Sequence, residues 1–133
     1  MCTTAAEVGF GLDRPDARGA RSDGMTSTFL GDVSAEVEIA ADSTISKTVH
    51  ADDGLKAVLF GFDAGQELSE HTAAVPAVLH FLAGEATVTL GDDVHPVGPG
   101  AWMHLPPRLP HSITAKTPAK MLLLLLRRAK PSS

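Results

Sequence analysis

Cysteine is almost missing from this chain: Cys2 is the only one in 133 residues, so no disulfide can close within it and no thiolate cluster can hold zinc. Long apolar runs are missing too. The longest, Met121 to Leu126, is far shorter than the roughly 20 residues a membrane helix needs, and the opening MCTTAAEVGFGLDRPDARG has no apolar run of the signal-peptide kind. Positive charge is in the minority, with 11 Lys and Arg against 16 Asp and Glu for a formal charge of −5. That balance disfavours nucleic acid and anionic membranes as partners. There is no glycine-rich phosphate loop, no nucleophile elbow and no well-placed pair of catalytic carboxylates, since Asp92 and Asp93 fall together in a turn. GFGLDRPDARG imitates a dinucleotide motif but follows no strand and opens no helix. The expectation is a soluble, cytoplasmic protein whose chemistry rests on histidine.

Length allows one domain, which at this size buries roughly two-thirds of the surface its unfolded chain exposes. Residues 1–28 carry four glycines and one proline among scattered charges, with no sustained period, and read as an arm. Residues 129–133 read as a short tail. Between them, residues 29–128 fall into short apolar segments broken by Gly, Pro or Asp, with no uninterrupted amphipathic stretch of helical length. This predicts about nine or ten strands in an all-β sandwich or barrel. EATVTL and AEVEI (Ala35 to Ile39) alternate with the period of a half-buried strand. LKAVLF, PAVLHFL and MLLLLL are continuous apolar runs, as expected of strands covered on both sides.

Six histidines are present. In HSITAK, His111 alternates in phase with Ile113 and Ala115, which puts it on the inward face. There it needs partners for two ring nitrogens, from hydrogen bonds or from a metal. The phase of His71, at the end of GQELSE, is not readable. His80 interrupts an apolar run, and an unpaired buried imidazole costs a few kcal/mol, so a partner is expected. His104 alternates with Trp102, and its face is open. His50 and His95, beside aspartates in polar turns, read as solvated.

The segment from Gly65 reads Gly65-QELSE-His71-Thr72-Ala73, with Ala77 and then Gly84 following. A second reads Gly100-AWMHL-Pro106-Pro107-Arg108-LP-His111-SIT-Ala115. This pair of segments resembles the two motifs of the cupin family, matching at Gly65, His71, Gly84, Gly100, Pro106 and His111. The resemblance implies a double-stranded β-helix, a jelly-roll barrel of two antiparallel sheets with a pocket at its mouth. It also implies a divalent transition metal (Fe, Mn, Ni, Cu or Zn) held by two histidines and a glutamate of the first motif and one histidine of the second. Here Ala73 and Ala77 replace the second histidine and the glutamate.

Two expectations follow. In one, His71 and His111, completed by His80 or His104, hold a metal and the protein is an enzyme of dioxygenase, isomerase or lyase type acting on a small organic molecule. In the other, no metal is bound and the barrel is a small-molecule binding or sensor module, its pocket lined by Leu79, Phe81 and Ile113. Strand phase sets His80 on the opposite face from Leu79 and Phe81, against its joining the site. Arg108, in the place of the motif's glycine, is either a carboxylate anchor at the mouth or a surface turn residue. Apolar outer strands suggest a homodimer.

Overall fold

The structure, a computed structural model, describes residues 26–127. By compactness the chain divides between Val33 and Ser34. Of the expected arm, all but residues 26–28 lies outside the described residues, as does the expected tail.

Nine strands follow a short 3-10 turn at Val33–Glu36: β1 Thr44–Ala51, β2 Leu55–Phe62, β3 Glu67–His71, β4 Ala77–Ala83, β5 Ala86–Leu90, β6 Asp93–Val97, β7 Trp102–Leu105, β8 His111–Ala115 and β9 Ala119–Leu126. They form two antiparallel sheets, one of order β1-β2-β9-β4-β7 and one of order β3-β8-β5-β6. The all-β fold expected from the residues, in the two-sheet jelly-roll form that the resemblance implies, is the fold, and five of the six quoted apolar or alternating segments are strands.

The exception is AEVEI. Its alternation suggests a strand, but Val33–Glu36 winds into a 3-10 turn and the following residues lie unpaired. Val37 Cγ1 and Ile39 Cγ1 come within 3.3 and 3.5 Å of where a Cβ on Gly61 would stand. The apolar residues of this segment are thus used to cover the outside of β2, and Lys47 Nζ–Glu36 Oε1 (2.9 Å) and Lys120 Nζ to the Ser34 carbonyl (2.6 Å) hold the segment there. Alternation records one buried side; it does not say that the backbone finds a partner strand.

The core fills the space between the sheets. Phe62, Leu79, Phe81 and Met121 from one sheet meet Ala86, Val88 and Ile113 from the other, all at most 1% exposed. Burying one such large side chain contributes about 1.5–3 kcal/mol. Two crossings between the sheets share one end of the barrel: the loop of residues 72–76 joins β3 to β4, and that of residues 106–110 joins β7 to β8. The Arg108 amide donates to the Ala73 carbonyl at 2.7 Å and ties the two loops together. The Gly91 amide donates to the Pro110 carbonyl at 2.7 Å and anchors the second loop to the end of β5.

Candidate functional site

His111 opens β8 and is inward, as its alternation predicts: it is 4% exposed, and Ile113 and Ala115 on the same face are each 1% exposed. Across the β3–β8 pair it stands directly opposite His71. A β-bulge between Leu68 and His71 brings this about. Leu68 pairs with Ile113, and three residue steps on β3 then match two on β8, so Leu68 and His71 come to the same face although they are three apart. Without the extra residue His71 would turn outward. The phase of His71 is unreadable from the sequence because this bulge carries no marker there.

The two imidazole rings touch, with centroids 4.1 Å apart and planes at 61°. Each folds back on its own strand in the same way. His71 Nδ1 lies 2.9 Å from the Ser69 carbonyl, and His111 Nδ1 lies 3.0 Å from the Leu109 carbonyl. A carbonyl oxygen only accepts, so each Nδ1 carries a proton, and in the neutral ring Nε2 is then the atom with the lone pair. Among the described residues the one buried side-chain nitrogen or oxygen without a partner is Thr44 Oγ1. His111 Nε2 makes no hydrogen bond and is not in that class, so it reaches solvent. Burial, and secondarily the neighbouring His71, push the His111 imidazole below its ordinary value, against the opposing pull of the Leu109 carbonyl. Near neutral pH His111 is an acceptor.

The carbonyls of Ser69 and Leu109 are functional groups that reading side chains could not find. In the proline-rich stretch, Pro106, Pro107 and Pro110 restrict the backbone around Leu109, and the carbonyl so placed sets the tautomer of His111.

The other expected site residues lie elsewhere. His80 faces Trp102 and Leu122, and His104 faces Val78. The neighbouring pairs, Leu79 with Met103 and Ala77 with Leu105, point into the core. His80 and His104 therefore lie on the outer face of the five-stranded sheet, and the structure does not bring them together with His71 and His111. His80 is half-buried there with access to solvent, which removes the need for the partner expected of a core histidine. His50 and His95 sit in strands rather than turns; His95 is exposed, and His50 Nε2 pairs with Asp52 Oδ2 at 2.7 Å. Leu79, Phe81 and Ile113 belong to the packed core, each at most 1% exposed. Arg108 is exposed at the tip of the second loop, with a left-handed φ of 69°.

The donor set can be tested against a metal. Two imidazoles tethered through Nδ1–H have, in their neutral form, the tautomer that metal-binding histidines use. Resident divalent sites, however, usually take three or more protein ligands, and among the described residues no group of three His, Cys, Asp or Glu is placed to hold an ion. Ala77, 2% exposed, points into the core between Leu105 and Leu125. A carboxylate there would be deeply buried and, without a cation, costly. The residues supply half of a four-ligand site and do not fit a tightly held resident metal.

The family model described as Cupin domain matches residues 58–126. Among solved structures, an RmlC-like cupin protein from Desulfovibrio desulfuricans is 30% identical, with 77% of this chain and 96% of that one covered at a TM-score of 0.64. A conserved protein of unknown function from Streptococcus pyogenes is 26% identical over 80% of this chain and 93% of that one, at a TM-score of 0.70. A cupin superfamily protein from Desulfitobacterium hafniense, 24% identical over 82% of this chain and all of that one, has a TM-score of 0.71. Among curated proteins none matches.

Proposed function

The chain belongs to the cupin family, and on that premise we propose that it binds a small molecule at the end of the barrel through the Nε2 atoms of His71 and His111, without a resident metal. The observation that carries this reading is the matched tethering of both Nδ1 atoms to carbonyls two residues back, which leaves Nε2 as the acceptor of each neutral ring in a touching pair. Two acceptors on touching rings suit a ligand that offers hydrogen-bond donors, such as neighbouring hydroxyls. The low exposure of His111 strengthens a bond made at its Nε2, while His71 beside it is exposed. Arg108, whose guanidinium has no partner among the described residues, is available to a carboxylate on the same ligand. The lone cysteine fits a cytoplasmic setting. No helix among the described residues is long and apolar enough to cross a membrane.

The test is imidazole nitrogen NMR of the full chain during titration with hydroxylated small molecules and their deoxygenated analogues. The reading expects hydroxylated binders to shift the Nε2 signals of both histidines, and the shifts to vanish in His71→Ala. Binders that leave both Nε2 signals in place would overturn it.

A second reading is favoured by the tautomer itself, since an open Nε2 is also what a metal takes. In that case His71 and His111 would supply two ligands, and an added Fe, Mn, Ni, Cu or Zn ion would supply Lewis-acid or redox chemistry for a dioxygenase, isomerase or lyase. Tight, stoichiometric uptake of such an ion would decide for it.

A further inference from the structure

Pairing across the four-stranded sheet sets four residues in one row: His71 opposite His111, His111 opposite Leu90, and Leu90 opposite Asp93. Partners in register share a face of a sheet, so Asp93, on the edge strand β6, comes to the face that carries both imidazoles. Val97, four residues further along the same side of β6, packs against the core, in agreement with that phase. The turn of Gly91 and Asp92 fixes the placement. Gly91 takes a left-handed φ of 60°, and its amide bond to the Pro110 carbonyl ties the turn to the residue before His111.

Nothing in the described chain holds the Asp93 carboxylate: the residue is exposed, and its side chain makes no hydrogen bond or ion pair among the described residues. Neighbouring strands lie about 4.8 Å apart, which puts Asp93 about 10 Å from His111 across the sheet. That separation is too large for one ion to bridge, and no cluster of three metal-ligating side chains is found among the described residues. Between them Leu90, half-buried and packed against the core, forms an apolar floor. Along the row the site thus offers an acceptor on His71, a second on the 4%-exposed His111, an apolar side chain, and a carboxylate.

On the strength of the ligand reading above, on which this inference rests, we propose that the ligand is an amine. Its hydroxyl end meets the Nε2 atoms of His71 and His111, its hydrocarbon middle lies on Leu90, and its ammonium group pairs with Asp93. The row presents only acceptors, and an ammonium supplies only donors. Its charge is opposite to that of the carboxylate, and the chain's formal charge of −5 adds to the attraction. Arg108 does not oppose it: its backbone is tied to Ala73, beyond His71, whereas Asp93 ends the row on the other side of His111.

The experiment is a titration of the full chain, read by imidazole nitrogen NMR, with two probes: a vicinal hexanediol carrying a terminal primary amine, and the same hexanediol without it. Both should shift the Nε2 signals of His71 and His111. The amine should bind about two- to five-fold more tightly, the range of an exposed ion pair, and added salt should shrink that preference. In Asp93→Asn the preference should vanish while the affinity for the plain diol stays as in the parent, which shows that the fold is kept. Asp92→Asn, in the turn beside it, should retain the preference. Equal affinity for the two probes in the parent, a preference that survives Asp93→Asn, or one lost equally in Asp92→Asn would overturn the assignment of the amine to Asp93 and leave the imidazole reading standing. If neither probe moves the Nε2 signals, the imidazole reading fails and the amine falls with it.

Discussion

Gly84 occupies the turn between β4 and β5, where the chain passes from one sheet to the other, at the far end of β8 from His111. It has φ of +79°, and a Cβ placed on it would run into the Pro118 carbonyl oxygen and lie 2.6 Å from Ala119 Cα. Gly84→Ala therefore carries two costs. A left-handed conformation costs an ordinary residue about 1–2 kcal/mol. The overlap is with backbone, which cannot rotate away, and overpacking of this kind adds about 1–3 kcal/mol. The neighbouring bonds resist the shift, since the Glu85 carbonyl accepts from the Lys116 amide at 2.8 Å and the Glu85 amide donates to Thr117 Oγ1 at 2.9 Å. The sum, about 2–5 kcal/mol, corresponds to a fall in Tm of roughly 8–40 °C for a domain of about 100 residues. Gly65→Ala isolates the first cost, because Gly65 has φ of +82° but nothing within 4 Å of the added methyl; about 1–2 kcal/mol is expected. Urea unfolding of both variants beside the parent measures the difference. Equal losses in the two would refute the claim that close packing at this crossing holds the sheets together.

Arg108→Gly should raise stability by up to about 1 kcal/mol, because it relieves a left-handed φ of 69° at the expense of glycine's greater unfolded freedom. If Arg108 anchors a carboxylate, the same variant should weaken ligand binding while Arg108→Lys weakens it less; urea midpoints and a binding titration separate the two effects. The His111 imidazole, held below its ordinary 6.5 by burial, contributes stability that is present above pH 6.5 and lost as pH falls below it, because the unfolded chain takes up the proton first. The loss is limited to about 1.4 kcal/mol per pH unit for one proton. Urea midpoints at stepped pH should show this slope in the parent and not in His111→Phe, and a slope unchanged by the substitution would contradict the burial argument.

Much of the barrel was legible because its strands obey simple periods. HSITAK places His111 inward, and EATVTL, LKAVLF, PAVLHFL and MLLLLL become β5, β2, β4 and β9. The opposite phase of His80 from Leu79 and Phe81 was legible for the same reason. The contact between His71 and His111 was not, since it depends on a bulge inside β3 that no glycine or proline announces. The 3-10 turn in place of a strand at AEVEI was hidden as well, because a covering segment and a paired strand can bury the same alternate side chains. Backbone carbonyls leave no trace in composition, so the groups that tether both imidazoles are a property of the folded chain alone.

The account rests on His71 and His111 forming a two-acceptor site that holds a ligand rather than a resident metal. The most direct measurement is elemental analysis by mass spectrometry of the purified chain, before and after incubation with Fe, Mn, Ni, Cu or Zn and desalting, with His111→Ala alongside. The account predicts well under one metal ion per chain in every sample, and no difference between parent and variant. Close to one ion per chain in the parent, lost in His111→Ala, would contradict it and establish the pair as metal ligands.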